Sequence, residues 1–253
     1  MVPNSRLDAR VLRDGLAKDR RQAQGLIMRG QVLIDDRPVT KPGSAVKDDA
    51  IVRLKIGSAP KQYVSRGGGK LQSALDALEL NVSKLRCVDV GASTGGFTDC
   101  LLQAGANEVV AVDVGYGLLA QRLRQDERVT LLERTNARHL TADLLPYLSE
   151  LTVVDASFIG AASLLPALSA IAQSPGKLLI MVKPQFELPK SEVPQGGVVV
   201  DVQARSRAKE SVSTAAQSLG WRELASVDSA VAGPKGNIET FILFERDEEP
   251  SKP

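Results

Sequence analysis

Beyond residue 85, short wholly apolar runs alternate with stretches whose apolar positions repeat every three or four residues. The runs 87–90, 109–112, 129–132, 151–154 and 178–182 have the length and β-branched content of buried strands. Helical spacing marks 71–80, the segment from Thr98, and 116–124, 161–172 and 203–219. Strand-length runs at 221–227 and 238–244 close the pattern. Strands alternating with helices predict an α/β, doubly wound, mostly parallel sheet with right-handed crossovers. Ligands on such sheets bind beyond the carboxyl ends of the strands. Asp113, Asp155 and Lys183 each stand at such an end and are expected around one cleft.

The first 57 residues follow a different pattern. Helical spacing covers 6–16. Asp19 and Gln22 then resemble a capping pair at the start of a helix that stops at Gly30. Residues 32–34 and 51–56 read as strands and 35–38 as a turn. Charge separates this segment from the rest. Residues 1–66 carry 14 Lys and Arg against 7 Asp and Glu, whereas 67–253 carry 18 against 23. A net charge of +2 therefore conceals a basic module joined to a mildly acidic one, which points to a polyanion ligand. Arg6, Arg20, Arg21 and Arg29 are its candidate phosphate contacts, with Arg66 just beyond it. The segment resembles the small α+β RNA-binding module first named from ribosomal protein S-four. It carries Asp35-Asp36 where that module commonly has Asn-Gly or Asp-Gly. The expected organisation is an RNA-binding domain over 1–57, a linker at 58–62, a catalytic domain over 63–246 and a disordered tail over 247–253.

Composition excludes several classes. No apolar run approaches the roughly 20 residues of a membrane span, and the first ten residues lack a signal-peptide core, so a cytoplasmic location is expected. Two cysteines in apolar stretches and a single histidine make neither a disulfide framework nor a metal site. The stretch from Cys87 to Phe97 ends a strand in Asp89-Val90-Gly91 and continues through Ser93, Gly95 and Gly96 into a helix. Glycines there admit close backbone approach by a ligand, and Asp113 at the next strand tip suits a ribose hydroxyl pair. A dehydrogenase would need G-x-G-x-x-G spacing and a proton donor. The spacing is absent, and His139 lies in a surface-like stretch.

An acid and a lysine at the fourth and fifth strand tips instead suit deprotonation of an alcohol beside a methyl donor. An isolated lysine is protonated at neutral pH, and a second ammonium nearby favours the neutral amine. The order Lys70, Asp155, Lys183, Glu239 resembles the K-D-K-E tetrad of FtsJ-like ribose 2′-O-methyltransferases. With 63–71, Asp89 to Phe97, Asp113-Val114-Gly115-Tyr116-Gly117, residues 133–138 and Lys183-Pro184-Gln185-Phe186-Glu187, the whole chain is similar to the TlyA family.

That resemblance implies a Rossmann-like class I methyltransferase with a seven-stranded sheet. It also implies S-adenosylmethionine as cofactor and cytidine 2′-hydroxyls of ribosomal RNA, within a subunit, as substrate. Lys183 would be the base, with Lys70, Asp155 and Glu239 in support. Asp89, Gly91, Ala92, Ser93, Gly95, Gly96, Phe97, Asp113, Val114 and Asn136 would hold the cofactor, although Asn136 also fits a plain turn. Family members that modify both ribosomal subunits carry a C-terminal helix, which 245–253 are too short and polar to form, so the large subunit is the expected target. A membrane-active haemolysin and a non-catalytic RNA-binding assembly factor are the alternative functions. The first lacks an apolar span, and the second leaves the tetrad unexplained.

Overall fold

The computed structural model describes residues 4–28, 30–54, 63–233 and 235–247. They form two compact units, 1–62 and 63–253. Arg29, the linker at 58–62 and residues 248–253 of the expected tail lie outside the described residues.

The first unit contains β1 (Asn4–Arg6), α1 (Leu7–Arg13), α2 (Arg20–Met28), β2 (Val32–Ile34), β3 (Arg37–Val39), β4 (Ala45–Lys47) and β5 (Val52–Leu54). β3, β2 and β5 make a three-stranded antiparallel sheet, and β1 pairs with β4. Leu7, Val11, Ala23, Leu26, Ile27, Val32 and Val46 fill a small core. The capping pair forms, with the Gln22 N–H donating to Asp19 Oδ1 at 2.8 Å and the Lys18 N–H to Gln22 Oε1 at 2.6 Å. The predicted four-residue turn is only two residues long. Asp35 and Asp36 both take positive φ, 46° and 66°, as a tight hairpin of this hand requires. Asp36 accepts from Arg53 at 2.6 and 2.9 Å, so Arg37 and Pro38 join the sheet as β3. Asp8 is fully buried and accepts from Arg6, Arg20 and Gln24. The Arg6 guanidinium chiefly holds its carboxyl well below the usual range. Two of the predicted RNA contacts thus also neutralise an interior acid.

The second unit runs α3 (Arg66–Ala77), β6 (Arg86–Val90), α4 (Gly96–Gln103), β7 (Glu108–Val112), α5 (Gln121–Arg124), β8 (Val129–Leu132), β9 (Ser149–Val154), α6 (Leu165–Ile171), β10 (Ala172–Val182), α7 (Pro184–Glu187), α8 (Val202–Gln217), β11 (Arg222–Asp228) and β12 (Thr240–Arg246). The sheet has seven strands in the order β11-β12-β10-β9-β6-β7-β8. All neighbours are parallel except β12, which runs against both β10 and β11. The chain leaves β6 towards β7 and β8, then crosses back to β9, which makes β6/β9 the switch point.

The pleat sorts side chains between two cores. Val88, Val90, Val110, Val112, Val154, Ile180 and Phe244 face α6 and α8. Cys87, Val109, Ala111, Leu151, Val153, Leu179 and Phe241 face α3 and α4. α8 contributes a stripe of Ala204, Ala208, Val212 and Ala216 at four-residue spacing, capped by Asp201 accepting from the Ala204 N–H.

Two predicted helices change extent. The helix expected from residue 71 begins at Arg66, so Gly67-Gly68-Gly69 are helical and Lys70 lies within α3. Of the three, Gly68 serves packing. A Cβ at Gly68 would collide with the Tyr63 ring, and one on Gly96 would meet Ser65 Oγ and the Gly68 nitrogen. The helix expected over 116–124 shrinks to α5. The Gly115 and Gly117 N–H groups instead donate to Asp113 and Glu133 carboxylates, each at 2.7 Å.

Asp89 departs most from expectation. It is fully buried on the α4 side of β6, where Oδ2 accepts from the Thr98 N–H at 2.8 Å and the Thr98 hydroxyl at 2.6 Å. Oδ1 is buried and accepts from no group among the described residues. Burial pushes this carboxyl from 3.8 up to about 7, against the Thr98 hydrogen bonds that favour the anion. The folded value lies above the unfolded one, so the folded state keeps the proton longer, and stability present at pH 4 is lost as pH rises through about 7. This group should cost up to ~4 kcal/mol of unfolding free energy between about pH 4 and pH 8. Asp89→Asn keeps an oxygen for Thr98 and should flatten that dependence. Denaturant titrations at several pH values check it, and identical profiles for the two proteins would remove the assignment.

Candidate active site

The site begins at Gly91, where β6 turns beside the tip of β9. Gly91 has φ +86°, and a Cβ there would lie 2.7 Å from the Asp155 carbonyl oxygen. Only glycine lets the two strand ends approach this closely. The Asp155 N–H donates to the Val90 carbonyl at 2.9 Å, which locks the contact.

Three cavities open around this point and share Gly91, Ser93 and Asp155 among their walls. One, of about 460 Å³, is walled by Val112, Val114, Leu118, Ile159 and Leu164, with Asp113 and Asn136 at its edge. Asp113 accepts from the Ser93 N–H and the Gly115 N–H, both at 2.7 Å, so its carboxylate ties the glycine turn to the β7 tip. The Asn136 side chain accepts from the Arg138 N–H at 3.0 Å, so it caps a short turn as well as lining the cavity. A second cavity, of about 230 Å³, lies among Ser65, Arg66, Gly67, Ala92, Thr94, Gly96 and Phe97. Here the N-termini of α3 and α4 meet, and Arg66 stands at the rim of this cavity. An apolar slot, a carboxylate at a strand tip and a cradle of helix N-termini fit a nucleoside carrying an amino-acid tail. Asp89 and Gly95 line none of these cavities. Gly95, at φ +92°, opens α4, and a Cβ on it would strike Leu119 and Leu123.

The third cavity, of about 480 Å³, holds Lys70, Asp155, Lys183 and Glu239 together. Lys70 is 7% exposed and forms an ion pair with Glu239, which is 1% exposed. Lys183, 6% exposed, lies 2.6 Å from Asp155 Oδ1 and donates to Ser157 Oγ at 2.8 Å. Each lysine therefore rests on its own carboxylate, and the two ion pairs face one space. Burial pushes the Asp155 carboxyl upward, and the Lys183 ammonium opposes that rise.

The topology explains how residues so distant in sequence meet. Asp155 and Lys183 follow the parallel strands β9 and β10. Glu239 precedes β12, and because β12 is antiparallel its start lies at the same edge of the sheet.

Sequence periodicity did not single out two residues of this mouth. Ser157 touches Lys183. Phe158 is 92% exposed, has φ +67° and packs its ring 5.5 Å from that of Phe186. A bulky residue in the left-handed region is costly and is held only where its surroundings demand it. Further along the same loop, the Ala161 N–H donates at 2.6 Å to Glu187, whose carboxyl is pushed upward by burial. The available sequence signal was the motif Lys183-Pro184-Gln185-Phe186-Glu187, both of whose ends reach the loop after β9.

Among the described residues, no group of His, Cys, Asp or Glu could hold a metal ion, and no helix is long and apolar enough to cross a membrane. Residues 63–246 match the FtsJ-like methyltransferase family and residues 5–52 the S4 domain. The 16S/23S rRNA (cytidine-2'-O)-methyltransferase TlyA of Mycobacterium tuberculosis is 47% identical over 96% of this chain and 90% of its own. Hemolysin A of Brachyspira hyodysenteriae is 34% identical over 94% of this chain and 99% of its own. A solved structure from Streptococcus thermophilus covers 99% of this chain and 91% of its own, at 36% identity and a TM-score of 0.74. The chain belongs to the FtsJ-like methyltransferases, and within them to the TlyA group that carries an S4 domain ahead of the catalytic one.

Proposed function

We propose that this protein transfers a methyl group from S-adenosylmethionine to the 2′-hydroxyl of a cytidine in ribosomal RNA. The observation that carries the reading is the sharing of Gly91, Ser93 and Asp155 by all three cavities. A cofactor in the two smaller spaces would end where the tetrad begins. S-adenosylmethionine supplies an electrophilic sulfonium methyl. Asp113 holds the ribose hydroxyls, the apolar slot takes the base, and Arg66 with the two helix N-termini takes the carboxylate tail. This moves Arg66 from the RNA surface to the cofactor.

Lys183 accepts the proton of the attacking hydroxyl, with Asp155 beside it to balance the ammonium that results. The buried Lys70–Glu239 pair is neutral overall and fixes the opposite wall. Holding the hydroxyl in line with the methyl contributes alongside the base, because orientation alone lowers such barriers by several kcal/mol. The basic first unit supplies phosphate contacts that carry RNA affinity without reading sequence. The relative named a haemolysin does not shift this reading, since a buried two-lysine, two-carboxylate cavity has no use in membrane lysis.

Three measurements test the proposal. Lys183→Ala should abolish methyl transfer while both ligands still bind. Lys183→Arg should fail too, because a guanidinium stays protonated at any working pH. A single-turnover rate for Lys183→Arg within about threefold of wild type, under ~1 kcal/mol, would remove the base assignment. Asp113→Ala should weaken cofactor binding by about tenfold or more in titration calorimetry, the loss expected for charge-assisted hydrogen bonds, with RNA affinity unchanged. Arg21→Glu should weaken RNA binding and reduce its salt slope by about one unit for each phosphate no longer neutralised. Arg21 serves this test better than Arg20, whose removal would also strip a partner from buried Asp8.

A further inference from the structure

We propose that Ser157 is a positioning residue that aims the Lys183 lone pair at the substrate hydroxyl, an inference that rests on Lys183 being the base. A neutral amine nitrogen has four tetrahedral directions. In Lys183 one is the bond to Cε, and two N–H directions are taken by Asp155 Oδ1 at 2.6 Å and Ser157 Oγ at 2.8 Å. The fourth direction, the lone pair, is then fixed, beside the cavity that Lys183 and both acceptors line. With Asp155 alone, the nitrogen could turn about its bond to Cε, and the lone pair would share its time between two directions.

The loop that carries Ser157 is built to hold it. Its start is tied by the Asp155 N–H to the Val90 carbonyl, and its end by the Ala161 N–H to Glu187. Phe158 stands between at φ +67°, a conformation that turns its ring outward while the preceding serine meets Lys183. Ser157 itself is exposed at the cavity mouth.

In the reaction the hydroxyl O–H bond breaks and its proton joins the Lys183 lone pair, giving an ammonium. The oxygen forms the new bond to the methyl carbon. The sulfur keeps the electron pair of the broken bond and leaves as a neutral thioether. Ser157 gains and loses no atom in this step; it accepts the same N–H before and after.

The test uses the full chain with unmodified ribosomal RNA, measuring single-turnover rates at saturating RNA and cofactor together with separate binding affinities. Ser157→Ala should slow the chemical step by about tenfold or more, the loss expected for a hydrogen bond to a charged group, with both affinities within about twofold of wild type. Ser157→Thr keeps the oxygen and should return to within about threefold of wild type. A Ser157→Ala rate within about threefold of wild type overturns the proposal, as does a threonine variant as slow as the alanine one. A loss that tracks weakened cofactor or RNA binding also overturns it, since it would make Ser157 a binding residue. A wild-type protein that transfers no methyl to ribosomal RNA would remove the functional reading beneath it, which is a separate failure.

Discussion

The contact between the ends of β6 and β9 is the constraint on which the catalytic unit depends. It requires Gly91, because any side chain would intrude on the Asp155 carbonyl 2.7 Å away. Once the strands close in this way, the glycine turn, the Asp155 carboxylate and the loop to Ser157 occupy fixed places. The three cavities then adjoin around a backbone contact that leaves little room for adjustment. The hydrogen bonds from Ser93 and Gly115 to Asp113 extend the same constraint to the β7 tip.

Charge is managed by pairing within the site. Four ionisable side chains face one cavity, and both lysines and Glu239 are nearly sealed from solvent. Burying such groups singly would cost several kcal/mol each, whereas paired they can remain ionised. Lys70 with Glu239 forms one neutral pair, and Lys183 with Asp155 becomes a second once Lys183 carries the proton. A proton moving onto Lys183 therefore meets a carboxylate already in place and needs no rearrangement to be accommodated.

Much of this was legible in the sequence because strand ends carry the chemistry. Asp113, Asp155 and Lys183 each follow an apolar run, so their shared edge followed from the alternation of strands and helices alone. Glu239 was legible only through family resemblance, since its nearness depends on β12 running antiparallel, which periodicity does not report. Three residues or stretches resisted for different reasons. Asp89 looks like part of the glycine turn, but the two-residue pleat sends it to the other face of the sheet, under α4. The glycines at 67–69 fall ahead of the helical spacing that begins at residue 71, yet they lie within a helix capped by Ser65, with Gly68 pressed against Tyr63. Ser157 sits in no apolar, charged or glycine pattern, so only the position of Lys183 Nζ shows its part.

The place of β12 bears on when the enzyme comes into being. Lys70 and Glu239 are 169 positions apart, and β12 is inserted between β10 and β11 although it follows both in the chain. During synthesis β11 emerges with no edge to join, because the strand that must lie beside it on β10 has yet to be translated. The sheet therefore closes only once residues 240–246 are in place between β10 and β11, and the same strand brings Glu239 to Lys70. The glycine turn and its two neighbouring cavities draw on no residue beyond Leu164. Completion of the catalytic wall is thus tied to the last strand of the sheet.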